Sequence, residues 1–322
     1  MMFRTELKIK PWGERLDYSS RIVTLGSCFA TNISRRLARS KFSVVDSPTG
    51  ILFNPESIAR SMESMTSGRT VDKESIVELG NRYFSYEAHS QISGTTHDEV
   101  EAAINSALST GGKAITESDI IIITLGTAWV YRLRSTGNVV ANCHKQPASL
   151  FSRELLSVDE CVEALERIVS LTPRRLLLTL SPIRHIGEGL EDNSLSKSTL
   201  RVAIDRICKA HPERVHYFPS YEIMLDDLRD YRFYASDMLH PSDIAVDYII
   251  NKFYDTALSP ETLRLKSAVD KIIQATEHRP FNPEAEEYKA FCGRQLEAIR
   301  GISGVDLSKE REYFEQMLQI NL

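Results

Sequence analysis

The chain has 322 residues, 42% hydrophobic and 26% charged, the balance of a globular protein with one large domain or two small ones. A net charge of −5 leaves no basic excess to neutralise phosphates, which argues against a nucleic-acid binder, and no apolar run approaches the roughly 20 residues that span a bilayer. Five scattered cysteines (Cys28, Cys143, Cys161, Cys208, Cys292), odd in number and without CxxC spacing, suit reduced thiols in a cytoplasm rather than a disulfide framework.

Residues 1–14 carry basic side chains without the apolar core of a secretory leader. The first buried strand is expected at Arg21–Gly26. It gives way to a helical pattern with Phe29, Ile33 and Leu37 at spacing four. The junction reads Gly26-Ser27-Cys28-Phe29-Ala30. A serine at a helix mouth has two readings. Its oxygen can cap the helix by accepting a backbone N–H. Its hydroxyl can also attack an acyl group beside unpaired N–H groups that would stabilise an oxyanion. Cys28 is a rival nucleophile, because a thiol at a helix N-terminus can have a lowered pKa, although cysteine is as often a small core residue.

A short strand is expected at Phe42–Val45, beside the first. Asn54-Pro55 is a cap followed by proline at the first helical position. From about Ser61 to Gly112 the chain reads as a polar, weakly patterned excursion, with short strands around Tyr83–Tyr86. Gly111-Gly112-Lys113 lacks the rest of a phosphate-binding loop, and no dinucleotide fingerprint follows the first strand. Asp119–Gly126 is a continuous β-branched run, as in a central parallel strand covered on both faces. Trp129–Leu133 and Asn138–Cys143 flank Ser135-Thr136-Gly137 as a hairpin.

Ser157-Val158-Asp159-Glu160 is a capping box opening a helix with Val162, Leu165 and Val169 inward. Further strands are expected at Arg174–Ser181 and Arg214–Phe218, separated by a helix carrying Leu200, Ile204 and Ile207. This alternation predicts a parallel sheet between helical layers, with Ser27, Gly126-Thr127, Ser181-Pro182 and Pro219-Ser220 following strand carboxyl ends on one rim. The aromatic stretch from Tyr217 to Tyr234 reads mainly as core packing. Asp237-Met238-Leu239-His240-Pro241 then supplies a base and an orienting carboxylate within one turn. Without Ser27 upstream it reads rather as a turn capped by Asp237 with His240 a surface residue. Pro241 keeps His240 out of the helical region, and Ser242 caps the next helix. After Ser259 the pattern is helical to the end, with one helix opening at Asn282-Pro283. The expected organisation is a catalytic domain over residues 1–258 and a helical extension over 259–322 packed on it. Eight histidines show neither HExxH nor paired spacing, so neither a metal nor a cofactor is expected.

With these residues in hand, the chain resembles the GSCFA family, a branch of the SGNH (GDSL-like) hydrolases. The resemblance rests on Gly26-Ser27-Cys28-Phe29-Ala30, Gly50-Ile51-Leu52-Phe53-Asn54-Pro55, Leu125-Gly126-Thr127-Ala128-Trp129, Asn142-Cys143-His144-Lys145, Ser181-Pro182-Ile183-Arg184-His185, Tyr217-Phe218-Pro219-Ser220-Tyr221-Glu222 and Asp230-Tyr231-Arg232-Phe233-Tyr234 leading into Asp237–Pro241. It spans roughly residues 20–260. It implies a three-layer α/β/α sandwich with a mainly parallel sheet, and an esterase or O-acyltransferase triad. Ser27 would be the nucleophile, His240 the general base and Asp237 the carboxylate that fixes its tautomer. The implied oxyanion donors are the Ser27 N–H, the Gly50 N–H and an asparagine after a central strand. Ala128 stands where that asparagine belongs, so Thr127 or Asn142 replaces it or the oxyanion hole is weaker. The cluster Asn142, His144 and Lys145 reads either as a solvated loop or as a substrate rim. Arg184 and His185 either bind a substrate carboxylate or hydroxyl, or pair with nearby acids. A small-molecule or carbohydrate ester is the substrate the resemblance implies. The alternative is a non-catalytic carbohydrate- or ligand-binding module that keeps the fold, motivated by Ala128.

Overall fold

The structure is a computed structural model, and it describes residues 5–71, 75–187, 189–282 and 285–319. In chain order it runs β1 (Arg21–Gly26), α1 (Cys28–Arg39), β2 (Ser43–Asp46), α2 (Pro55–Thr66), then β3 (Ile76–Leu79), β4 (Arg82–Ser85) and β5 (Ser93–Gly94). There follow α3 (His97–Glu117), β6 (Ile120–Leu125), β7 (Trp129–Leu133), β8 (Val139–Val140), β9 (Phe151–Leu155), α4 (Val158–Leu171), β10 (Arg175–Leu180), α5 (Leu190–Ala210) and β11 (Val215–Phe218). A short turn α6 (Ser220–Glu222) continues as a π-helical stretch, Ile223–Leu228. Four helices complete the chain: α7 (Asp243–Ala257), α8 (Pro260–Glu277), α9 (Glu286–Arg300) and α10 (Ser308–Gln319).

The fold is α/β, with a five-stranded sheet in the order β11-β10-β6-β1-β2. The pairings β1–β6, β6–β10 and β10–β11 are all parallel. All six residues of β6 are buried, so both faces of the sheet are covered there, as its unbroken apolar run requires. One face (Val23, Leu25, Ile121, Ile123, Leu176, Leu178) shares a core with apolar residues of α2, α3, α4 and α5. The first crossover leaves β1 toward β2, and the next returns to β6 on the other side. The strand order therefore reverses between β1 and β6, and in an open parallel sheet that crevice, outside the carboxyl ends, is where ligands bind.

The strands expected in the parallel sheet appear within a residue or so of their expected ends. Asn54 caps α2 by accepting the Ser57 N–H at 2.8 Å, and Ser157 opens α4 with a complete capping box. The excursion at 61–112 is more ordered than its composition suggests. It holds the end of α2, the three-stranded antiparallel sheet β3-β4-β5, and α3, a helix of 21 residues. A second capping box, Thr96 with Glu99, starts that helix, and Val100, Ile104, Leu108 and Ile115 form its buried face. Gly111 and Gly112 are tolerated inside α3 because α2 lies against them. A Cβ on Gly111 would stand 2.0 Å from Met65 Sδ, and one on Gly112 2.3 Å from the Met65 carbonyl oxygen. The expected hairpin forms, but β8 is only two residues long, and β9 pairs on the other edge of β7 to make a three-stranded sheet.

The chain divides into two compact units. The first comprises the residues up to Lys8, Arg21–Ser34 and Val44–Ile250; the second comprises Ile9–Ser20, Arg35–Ser43 and the chain from Asn251 onward. The second unit has its own core, built on Val269, Ile272, Tyr288, Cys292 and Phe314. Its last two helices are α9 and α10. The expected helix start at Asn282-Pro283 falls partly on Pro283, which lies outside the described residues, and α9 begins at Glu286. Among the described residues no helix is long and apolar enough to cross a membrane.

Candidate active site

Gly26 ends β1 with φ +122°, and a Cβ there would lie 2.1 Å from the Thr124 carbonyl oxygen on β6. Only glycine allows two parallel strands to meet so closely at this turn. The next residue, Ser27, is 2% exposed. Its N–H donates to the Thr124 carbonyl at 2.9 Å, its carbonyl accepts the Ala30 N–H at 2.7 Å, and its Oγ accepts the Phe29 N–H at 3.3 Å. Ser27 is therefore a helix cap. That role does not remove it from solvent, because it also lines a cavity of about 430 Å³.

His240 lines the same cavity, 213 residues along the chain. Its loop is closed locally. The Ala235 N–H donates to the His240 carbonyl at 2.7 Å, Met238 adopts a left-handed conformation (φ 60°), and Tyr234 bridges to Pro241. Asp237 Oδ1 accepts the N–H groups of Leu239 and His240 at 2.9 and 3.0 Å, while Oδ2 lies 2.6 Å from His240 Nδ1. The His240 and Leu239 N–H groups, and then the His240 ring, hold the Asp237 carboxyl down at about 2. An ionised partner on Nδ1 leaves Nε2 as the nitrogen able to take a proton. Among the described residues Ser27 Oγ and His240 share no direct hydrogen bond; the cavity separates them.

The cavity's remaining wall comes from Phe53 and from the segment after β10, Ser181 to Gly187. Arg184 and His185 both stand on it. The Arg184 N–H donates to the Leu239 carbonyl at 3.2 Å, tying this segment to the histidine loop. The Arg184 guanidinium lies over two aromatic rings, 4.2 Å from the centroid of Tyr234 and 5.1 Å from that of Tyr231. Burial, with the charge of Lys197 adding, pushes His185 down to about 4, so it is neutral near pH 7.

The other expected site residues are placed elsewhere. The Gly50 N–H donates to Ser47 at 2.7 Å, and neither Gly50, His144 nor Lys145 lines the cavity. His144 Nε2 faces the Ser85 and Ala88 carbonyls at 2.9 and 3.2 Å, and its ring stacks on Phe84 at 4.1 Å. Those contacts anchor the β8–β9 connection to the end of β4 and the turn after it, a structural task that engages the imidazole. Lys145 is exposed. Thr127 and Asn142 line a second cavity, of about 410 Å³, which shares Phe53 and His185 with the first. The Thr127 N–H donates to Phe53 at 3.0 Å, and its hydroxyl meets Ser196 Oγ at 3.0 Å. Of the oxyanion donors expected from the resemblance, the backbone N–H groups of Ser27 and Gly50 are thus already engaged. Burial pushes the Cys28 thiol up, so this cysteine lacks the thiolate that its rival reading needs.

Three residues near the rim carry signals that the chain does contain. Lys197 is 2% exposed, and its Nζ donates to the Gly126 carbonyl at 2.7 Å and the Ser181 carbonyl at 2.8 Å. It cross-links the carboxyl ends of β6 and β10 beneath the cavity, and burial lowers it to about 7. Its position on the apolar face of α5, in line with Leu200, Ile204 and Ile207, is the readable sign. Ser196 donates to or accepts from Thr127 and accepts the Ala128 N–H at 2.7 Å. Asn54 caps α2 through Oδ1, which leaves Nδ2 without a protein partner among the described residues, on the wall of the second cavity.

Residues 21–253 match the GSCFA family, and residues 269–320 match a separate family described as "GSCFA domain protein, C-terminal domain". A search of curated proteins finds no match. Among solved structures, a Streptococcus pneumonia protein described as "a putative platelet activating factor" is 11% identical, with a TM-score of 0.36, over 76% of this chain and 84% of that one. A Bacteroides fragilis protein described as "a putative acylhydrolase" is 10% identical, with a TM-score of 0.40, over 82% and 91%. The family match covers most of the chain, including Ser27, Asp237 and His240, and the protein belongs to the GSCFA family.

Proposed function

We propose that the protein is a serine-dependent ester hydrolase or O-acyltransferase working through Ser27, His240 and Asp237. The observation that carries this reading is the cavity lined by both Ser27 and His240, with Asp237 on the far nitrogen of the imidazole. His240 Nε2 takes the Ser27 proton as Oγ attacks the ester carbonyl carbon. The imidazolium then returns the proton to the leaving alcohol as the C–O bond breaks, giving an acyl-serine. Water, or a hydroxyl of an acceptor such as a sugar, attacks the acyl-serine with His240 again as base. Ser27 Oγ and His240 share no hydrogen bond among the described residues, and catalytic hydrogen bonds are often long before substrate binds. A carbohydrate or other small O-acyl ester is the substrate class we favour, and the free cysteines support a cytoplasmic setting.

The second reading is a binding module without turnover. The engaged N–H groups of Ser27 and Gly50 favour it, since a missing oxyanion donor costs about 10²–10³ in rate. A fluorophosphonate probe separates the two. Capture at Ser27, lost in Ser27→Ala and kept in Cys28→Ala, supports the enzyme, and Ser27→Ala then lowers ester turnover by at least about 10³-fold. No capture of the wild type, with ligand binding intact in Ser27→Ala, supports the module.

A further inference from the structure

We infer that the ester accepted at Ser27 carries a carboxylate, bound by Arg184. This inference rests on the ester-hydrolase reading and adds the charge of the substrate to it. Arg184 lines the cavity that Ser27 and His240 share. Among the described residues no carboxylate lines that cavity, and none lies within ion-pair distance of Arg184. The nearest functional acid, Asp237, is engaged with His240. His185, the neighbouring base on the same wall, is neutral. Behind the wall Lys197 brings a second basic group, held by the Gly126 and Ser181 carbonyl oxygens and, among the described residues, by no acid. Among the described residues the cavity lining thus holds the Arg184 guanidinium with no carboxylate beside it, and such a site attracts an anion.

The way the guanidinium is held supports the same conclusion. Arg184 is supported by the rings of Tyr231 and Tyr234, which attract a cation without neutralising it. Its Nη1 lies 3.4 Å from the Tyr231 hydroxyl, a long contact. Contact with two aromatic rings holds the guanidinium in place while leaving N–H groups for a planar, bidentate acceptor, which a carboxylate provides. Arg167 shows how this protein treats a structural arginine: it reaches Glu56 at 2.6 Å and Glu63 at 2.7 Å. Arg184 has the support of such a residue without the acids.

The test uses the full chain and two matched substrates, 3-acetoxybenzoate and its methyl ester. In wild type, kcat/KM should favour the acid by about 10- to 100-fold at low salt, the range of one charge-assisted contact. That ratio should fall toward one in Arg184→Gln, fall less in Arg184→Lys, and shrink in high salt. Ser27-dependent turnover with no preference for the acid, or a preference that survives in Arg184→Gln, overturns the inference and leaves the hydrolase reading standing. If neither ester is turned over and the fluorophosphonate probe does not label Ser27, the hydrolase reading fails. Carboxylate recognition is then read from binding of 3-acetamidobenzoate. Binding weakened about 10-fold by Arg184→Gln supports it, and equal binding of that compound's methyl ester overturns it.

Discussion

Ser27 and His240 face one cavity, but they are held in opposite ways. Ser27 is 2% exposed, and its backbone is locked by β6 and by the first turn of α1. The side chains of His240 and Asp237 are 48% and 45% exposed, and their geometry comes from hydrogen bonds inside a single short loop. Ser27 is placed by the close approach of two core strands, His240 by local turn chemistry. Loops open at lower free energy than core strands. The adjustable coordinate of this site is therefore the distance between the two residues, and any movement that closes it belongs to the histidine side.

That contrast can be broken from either end. Asp237→Asn acts on the soft side. It removes the charge on His240 Nδ1 and permits the wrong tautomer, so kcat should fall about 10²- to 10⁴-fold. The urea midpoint should hardly change, because the carboxyl is exposed. A parallel loss of stability would mean that the loop is part of the core after all. The carboxyl, held down at about 2, stays ionised as pH falls to about 3, so no limb of the pH–rate profile above that value is owed to Asp237. Gly26→Ala acts on the rigid side. The added Cβ meets the Thr124 backbone at 2.1 Å from its oxygen, in a conformation that L-residues rarely adopt. Unfolding free energy should drop by more than about 3 kcal/mol, read from denaturant midpoints. A mild effect would show that β1 and β6 can part, and would remove the reason for calling Ser27 fixed.

The same contrast explains what was legible in the chain. Core strands announce themselves: Ile120 to Leu125 is an unbroken apolar run because both its faces are buried. The Asp237–His240 turn was readable because its contacts span three residues. The small antiparallel sheets were hard to read because their strands run to only two to five residues, and a two-residue strand has no period. The 21-residue α3 was obscured by Gly111 and Gly112, whose reason lies in Met65 on another helix. The contacts of His144 were hidden for a similar reason. A histidine in a polar loop looks available, and only the fold shows two carbonyls and Phe84 already on it. Arg184 was legible as a candidate, but its having no acid partner among the described residues is a property of the assembled rim.

Lys197 gives the smallest of these effects and tests the rigid side from below. Its ammonium bridges the ends of β6 and β10 with no carboxylate partner among the described residues, and burial lowers it to about 7 from an unfolded value near 10.4. Between those values the unfolded chain binds more protons than the folded one. Stability therefore rises with pH across that window, by up to about 1.4 kcal/mol per unit, because the buried charge is progressively discharged. The groups beside it do not imitate this. His185, lowered to about 4 from about 6.5 unfolded, adds its own rise only below about pH 7, and burial raises the phenol of Tyr221, whose ring centroid lies 5.8 Å from Nζ, so the window above pH 7 belongs to Lys197 among these three. Urea unfolding of wild type and Lys197→Met from pH 6 to about 9.5 isolates the difference. The variant should lose the upward slope while also exposing the unfilled demand of the Gly126 and Ser181 carbonyls at high pH, where the wild-type amine still donates to them. Equal slopes in the two proteins would mean that water reaches the amine, and that the floor beneath Ser27 is softer than its packing indicates.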